Sequence, residues 1–239
     1  MLHVAFAPAK INLLLAITGV RPDGFHSLVS LVSPIALGDT LWLEPGASGE
    51  GQDTLACDFP GVPVDASNLV LKAAAVFREK VPHLPRLHFT LEKRVPHGAG
   101  LGGGSSDAAA ALRLLNEVAG HPLDTAALEA LAARLGSDCP LFLRGAPVIM
   151  RGRGERVEAL TQAEASALRG RRLLLFKPAF GVSTAEAYAA MKASGGADYV
   201  LEADAERRLA AWRAVPAQEA LPLFNNMERA VFAKHLALP

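Results

Sequence analysis

The sequence predicts an α+β protein, because strands and helices are mixed along it with few clean βαβ alternations. Two patterns carry the prediction. Leu87, Phe89 and Leu91 alternate with His88, Thr90 and Glu92, the period-two signature of a half-buried strand. Ala108, Ala111, Leu112, Leu115 and Val118 recur at helical spacing and end at Gly120, a natural helix stop.

Taken in order, residues 2–7 and 11–17 are apolar and read as strands hinged at Ala7-Pro8-Ala9-Lys10. Arg21-Pro22-Asp23-Gly24 is a turn, since Pro fixes φ and Gly supplies a positive one. Leu28 to Trp42 reads as two strands broken near Gly38-Asp39, and Gly46 to Gln52 as a Gly/Ser-rich loop tip. Ser67-Asn68 caps a helix from Leu69 to Lys80 that Pro82 stops. A helix over 107–119 follows the strand at Leu87 and the glycine run, and another runs from Thr125 to Leu135. Residues 146–150 and 155–160 flank Arg151-Gly152-Arg153-Gly154 as a hairpin. Leu173 to Phe176 reads as a short buried strand, followed by helices around 184–193, 203–214 and 226–236. A composition shift near 160–170 marks the domain boundary, giving domains 1–162 and 163–239.

Composition narrows the function classes. A chain of 239 residues buries roughly 70% of the surface it exposes when unfolded, so it needs no disulfide or metal staple. Lys plus Arg is 24 and Asp plus Glu is 24, and this balance argues against coating nucleic acid or anionic membrane. Cys57 and Cys139 form no CxxC pair and read as reduced, buried thiols of a cytoplasmic protein. The longest apolar stretch, Leu28 to Leu37, is interrupted by serines and Pro34 and falls short of the ~20 residues of a membrane helix.

The chemistry concentrates in Gly98-Ala99-Gly100-Leu101-Gly102-Gly103-Gly104-Ser105-Ser106, between a strand and an Ala-rich helix. Glycines let backbone approach a ligand closely, and the following helix offers free N–H groups and the positive end of its dipole. Together these features make a phosphate cradle. The run contains GxGxxG, but the second strand and its acid about 20 residues on, which a dinucleotide fold requires, are missing. It is no Walker A loop, because no Gly-Lys-Ser/Thr follows.

Pro96 to Ser106 instead resembles the ATP-binding motif of the GHMP kinases, Pro-x-x-x-Gly-Leu-Gly-Ser/Gly-Ser/Gly-Ser-Ser, at every position. Ala7-Pro8-Ala9-Lys10-Ile11-Asn12-Leu13, Asp23-Gly24-Phe25-His26, Leu135 to Phe142 and Gly152-Arg153-Gly154-Glu155 are similar to segments of one branch of that superfamily. That branch phosphorylates the 2-hydroxyl of a cytidine-diphospho-methylerythritol, in the non-mevalonate route to isoprenoid precursors. The resemblance implies the two-domain GHMP kinase fold: a ribosomal-S5-domain-2-like ATP-binding domain and a ferredoxin-like substrate domain, the latter incomplete. It implies ATP and Mg2+ as cofactors and a small-molecule cytidine-diphospho acceptor. A monomer or homodimer with no nucleic-acid or membrane partner is expected.

Residue roles follow from the same resemblance. Asp138 alone reads as the N-cap of a short helix starting near Pro140, and the resemblance makes it the base for the acceptor hydroxyl. Lys10 alone is a solvated strand-end lysine; in the family it orients Asp138 and polarises the acceptor hydroxyl. Pro96, His97, Gly98, Ala99, Gly100, Leu101, Gly102, Gly103, Gly104, Ser105 and Ser106 would hold ATP, with Ser105 reaching magnesium. Phe25 and Tyr188 would sandwich the cytosine, His26 would bond the base edge, and Asn12 the substrate or phosphate. For Phe25, core packing is the competing assignment. Arg151-Gly-Arg153-Gly reads as a hairpin turn, and Arg169 to Arg172 as a solvated lead-in.

One departure stands out. The family's third glycine motif, Gly-Ser/Thr-Gly, is not found after residue 196, so the chain reads as C-terminally truncated. A catalytically impaired nucleotide-binding remnant and another GHMP small-molecule kinase are the alternatives.

Overall fold

The computed structural model describes residues 1–46, 52–178, 180–215 and 219–235. The loop tip expected at 46–52 therefore lies largely outside the described residues, as does the chain end at 236–239. The chain packs as two compact units that interleave along the sequence. The first comprises Met1–Lys10, Pro34–His97 and Leu101–Gly145; the second comprises Ile11–Ser33, Gly98–Gly100 and Ala146–Pro239.

In the first unit, strands β1 (His3–Val20) and β2 (His26–Pro45) contribute residues 3–10 and 34–45. They are joined by β3 (Thr54–Cys57), helix α1 (Leu69–Arg78), β4 (Leu87–Glu92) and helices α2 (Gly103–Val118), α3 (Thr125–Leu135) and α4 (Cys139–Arg144). The strand order is β3-β4-β2-β1. β4 runs antiparallel to β2 from Thr40↔Glu92 to Pro45↔Leu87 and parallel to β3 from Thr54↔His88 to Cys57↔Leu91. The alternation expected around residue 87 appears in the burial, with Leu87, Phe89 and Leu91 inward. They meet Phe77 of α1 and Leu112 and Leu115 of α2 in one core. Each such side chain contributes about 1.5–3 kcal/mol on burial.

β1 and β2 are each continuous where the sequence suggested breaks. At Gly38, a Cβ would overlap the Phe6 ring and the Ala7 carbonyl, so glycine there admits β1 rather than ending β2. Asp39 also stays in the strand, because its carboxylate accepts the Arg94 and Val95 backbone N–H groups. Pro8 removes one ladder donor from β1 without ending it. α2 starts at Gly103, four residues before the expected position, so the glycine run itself forms the first turn. Burial of Ala108 to Leu112 outweighs the roughly 1 kcal/mol each helical glycine costs.

In the second unit, β2 residues 28–32 pair antiparallel with β5 (Val148–Gly152), which forms a hairpin with β6 (Arg156–Ala159). α5 (Gln162–Leu168), α6 (Thr184–Ala193), α7 (Glu202–Arg213), β7 (Phe224–Asn225) and α8 (Glu228–Lys234) follow. β7 pairs parallel with β1 at Leu14↔Phe224. Asn226 donates to the Ile17 and Asp198 carbonyls and accepts the Ile17 N–H, tying β1 to the loop before α7. Leu13, Leu14, Leu31, Ile149, Leu209 and Trp212 form one core.

Leu173 to Phe176 forms no strand, and its side chains are exposed, Leu174 at 94% and Phe176 at 85%. An apolar run of four gains burial only where a partner strand meets it. Cys139 is buried as expected, whereas Cys57 is only partly buried. Among the described residues, no helix is long and apolar enough to cross a membrane.

Candidate active site

The glycine loop takes the backbone form its residues require. Gly98, Gly100 and Gly102 have φ of 68°, 73° and 72°, the left-handed region that favours glycine. Gly102 occupies the N-cap of α2, where no side chain caps the helix, so first-turn N–H groups remain for an anion. A Cβ on Gly102 would lie 2.7 Å from Phe142 Cζ and 3.1 Å from Lys10 Cγ. This is a cradle that only glycine leaves open. Ser105 takes a hydrogen bond with the buried Cys139 thiol, which burial pushes to a higher pKa. Ser106 Oγ is buried and finds no hydrogen-bond partner among the described residues.

Lys10 is held against this loop. Its N–H donates to the Leu101 carbonyl at 2.9 Å, and its Nζ lies 3.9 Å from Asp138 Oδ2. Asp138 does sit at the N-cap of α4, as its sequence position suggested, but its side chain makes no cap hydrogen bond. The carboxylate turns toward Lys10 instead. At 3.9 Å the pair is in coulombic contact rather than hydrogen-bonded. Such a pair is worth about 1 kcal/mol in water and about 4 at an effective dielectric of 20. With Asp138 40% exposed and Lys10 13%, the screened lower end applies. The arrangement stabilises little, and the Asp138 carboxylate, 40% exposed, stays accessible.

Beneath the loop lies a network that sequence reading missed. Lys93 Nζ donates to Asp39 Oδ2 and to Asp107 Oδ2 on the first turns of α2, with all three side chains buried. Asp39 Oδ1 accepts two backbone N–H groups from the segment entering the glycine loop. Burial, with the Asp39 charge beside it, pushes the Asp107 carboxyl up to about 7 despite Lys93. Asp107 Oδ1 has no hydrogen-bond partner among the described residues. A charge at the end of an apolar strand segment was the only signal available.

The second unit gathers the remaining candidates. In the turn before β2, the Asp23 carboxylate accepts the Phe25 N–H and the Arg21 guanidinium, while Gly24 has φ 84°. This presents Phe25 outward, 55% exposed, so it is not a core residue. The Arg153 guanidinium of the β5–β6 turn lies 5.1 Å from the Phe25 ring centroid. His26 packs on Tyr188 of α6 with ring centroids 4.6 Å apart and a 33° tilt. Its Nε2 is 3.1 Å from the Tyr199 hydroxyl. Burial and the nearby Lys192 charge lower the His26 pKa, favouring the neutral ring. Asn12 donates its amide to Ser30 Oγ at 2.8 Å. Lys10, Asp138 and residues 101–106 thus share one unit, and Asn12, Phe25, His26 and Tyr188 the other. Sequence reading passed over Tyr199, and it recognised Arg153 only as a turn residue.

Residues 68–146 match the profile of the GHMP kinases N terminal domain. The chain is 41% identical over 235 residues to 4-diphosphocytidyl-2-C-methyl-D-erythritol kinase of Methylacidiphilum infernorum (isolate V4), covering 98% of this chain and 76% of that protein. It is 43% identical over 183 residues to the chloroplastic kinase of the same name from Oryza sativa subsp. japonica, covering 77% of this chain and 45% of that protein. A crystal structure of 4-(cytidine 5'-diphospho)-2C-methyl-D-erythritol kinase superposes with a TM-score of 0.77 at 34% identity, covering 99% of this chain and 80% of that one. The Methanococcus jannaschii mevalonate kinase shares the fold at 10% identity, with a TM-score of 0.67.

Fold, glycine cradle and profile define a GHMP kinase. With relatives this similar over nearly its whole length, the chain belongs to the 4-diphosphocytidyl-2-C-methyl-D-erythritol kinase family.

Proposed function

We propose that this chain transfers the γ-phosphoryl group of ATP to the 2-hydroxyl of 4-diphosphocytidyl-2-C-methyl-D-erythritol. The observation that carries the reading is the Lys10–Asp138 pair, fixed to the glycine cradle through the Lys10 N–H to Leu101 carbonyl bond. Phosphoryl transfer asks the protein chiefly for positioning and charge neutralisation. Asp138 takes the proton of the acceptor hydroxyl as that oxygen bonds to the γ-phosphorus, and ADP leaves. Lys10 orients Asp138 and polarises the hydroxyl. The 96–106 segment holds the triphosphate. Phe25 and Tyr188 hold the cytosine, His26 its edge, and Asn12 the acceptor or its phosphates.

Among the described residues, no group of three His, Cys, Asp or Glu is placed to hold a metal. Mg2+ often rides on nucleotide phosphates with few protein ligands, and Ser105 would supply one hydroxyl while the ion neutralised phosphate charge. We further assign residues 1–162 and 163–239 to the family's two modules. A cytoplasmic monomer or homodimer without nucleic-acid or membrane partners completes the proposal.

The test is ADP release from Mg·ATP with the cytidine-diphospho acceptor, homoserine, mevalonate or galactose supplied separately. Turnover with the first alone is expected. Turnover with another acceptor would reassign the substrate, and ATP binding without turnover would point to a nucleotide-binding remnant.

A further inference from the structure

The His26 ring has two nitrogens, and only one can be a donor while the ring is neutral. Its Nε2 faces the Tyr199 hydroxyl at 3.1 Å, while one ring face rests on Tyr188 at 4.6 Å. The Tyr199 ring centroid lies 5.8 Å from that of His26, at 48°, so the two rings meet at an angle that brings hydroxyl to nitrogen. Tyr199 is itself anchored: its N–H donates to the Gly196 carbonyl, and the next N–H, of Val200, donates to the Ile17 carbonyl on β1. A phenol O–H is a stronger acid than a neutral imidazole N–H, and an imidazole lone pair accepts better than a phenol oxygen. The preferred direction of this bond is therefore from Tyr199 to His26. Burial and the neighbouring Asp198 raise the Tyr199 pKa, which keeps the hydroxyl protonated.

We infer that Tyr199 is a positioning residue for the acceptor's base: its hydroxyl donates to His26 Nε2, fixing the Nδ1–H tautomer so that His26 presents a donor to the ligand. The partner of a ring nitrogen sets the tautomer of the whole imidazole. A cytosine edge carries two acceptors, N3 and O2, beside one amino donor. An Nδ1–H donor fits an acceptor, whereas the opposite tautomer would favour the amino group. Tyr199 thereby selects which part of the edge His26 reads. This rests on the proposed cytidine-diphospho acceptor for its consequence, though not for the tautomer itself.

The test uses the whole chain. Long-range 1H–15N correlation spectra of the wild type should show His26 protonated on Nδ1 and bare at Nε2. Tyr199→Phe keeps the ring and removes the hydroxyl, and should return His26 to the Nε2–H form. In turnover, the same variant should raise KM for the cytidine-diphospho acceptor about five- to tenfold, the scale of one lost hydrogen bond. Its kcat and its KM for ATP should hold. A wild-type His26 protonated on Nε2, or a tautomer unchanged in Tyr199→Phe, overturns the inference even where turnover is normal. Absence of turnover with the cytidine-diphospho acceptor overturns the functional proposal instead and leaves the spectra decisive for the tautomer.

Discussion

Asp138 shows how one residue type answers to two physical demands. An aspartate ahead of Cys139-Pro140 suits an N-cap, and the residue does occupy that position. Its carboxylate nevertheless leaves the helix N–H groups and faces Lys10. If the pair serves chemistry, Lys10→Ala and Asp138→Asn should each lower kcat by about 10²–10⁴. Their melting temperatures should stay near wild type, because a 3.9 Å pair without a hydrogen bond and with a part-exposed carboxylate stabilises little. A large loss of stability with a small loss of rate would reverse the assignment.

Asp107 makes a different prediction at the same scale. Its pKa is near 7 when folded, above the ordinary carboxylate value near 3.9 when unfolded. The folded protein therefore keeps a proton that the unfolded chain gives up. The resulting stability is fully present below about pH 4 and is lost as pH rises through about 7. Its ceiling is on the order of 4 kcal/mol. Asp107→Asn, which stays neutral, should lose less stability between about pH 5 and pH 8 than the wild type, by urea unfolding at each pH. Parallel pH dependence in the two proteins would mean that Asp107 is ionised throughout.

Among elements, the loop leading into α2 is the most tightly specified. Gly102 needs both a positive φ and an absent Cβ, since Phe142 and Lys10 fill the space. Gly120, at the other end of the helix, has φ 79° with open space around it. Gly120→Ala should cost about 1–2 kcal/mol, the left-handed backbone term alone. Gly102→Ala should cost more and also raise KM for ATP, as thermal melts and kinetics would show. Equal costs would mean that the cradle yields to a methyl group. The glycine run and the helices of the first unit were legible because their signals are local, as the Asn68 cap of α1 and the Asp124 cap of α3 illustrate. Short elements such as β3 and β7 were not, since two to four residues carry too little period to register. The Thr161/Glu164 capping box of α5 was a readable signal that was passed over.

Across the whole molecule, Phe25, His26 and Tyr188, assigned to the cytosine, fall in one compact unit together with Gly98–Gly100, while Leu101 to Ser106 of the ATP segment fall in the other with Lys10 and Asp138. Substitutions at the cytosine residues should therefore separate from those in Leu101 to Ser106. Tyr188→Ala should raise KM for the cytidine-diphospho acceptor about 5- to 100-fold, the worth of stacking one base, while leaving KM for ATP within about twofold. A joint rise in both constants would argue against that division of labour.

The sequence by itself determined the α+β class, the glycine loop ahead of α2, the family, and the residue types at Lys10, Asp138, Phe25 and His26. Each of these rests on local spacing or on a motif written in consecutive residues. The pairing of Lys10 with Asp138 was already implied by the resemblance; tertiary structure alone decided that the Asp138 side chain makes no cap bond to α4, and that Phe25 is exposed. It also closed Lys93 between Asp39 and Asp107, and set Tyr199 against His26, 173 positions away in the chain. Such pairings exist only once distant segments pack. Charges and hydrogen bonds act over a few ångströms of space, whereas the spacing that sequence reading uses runs along the chain.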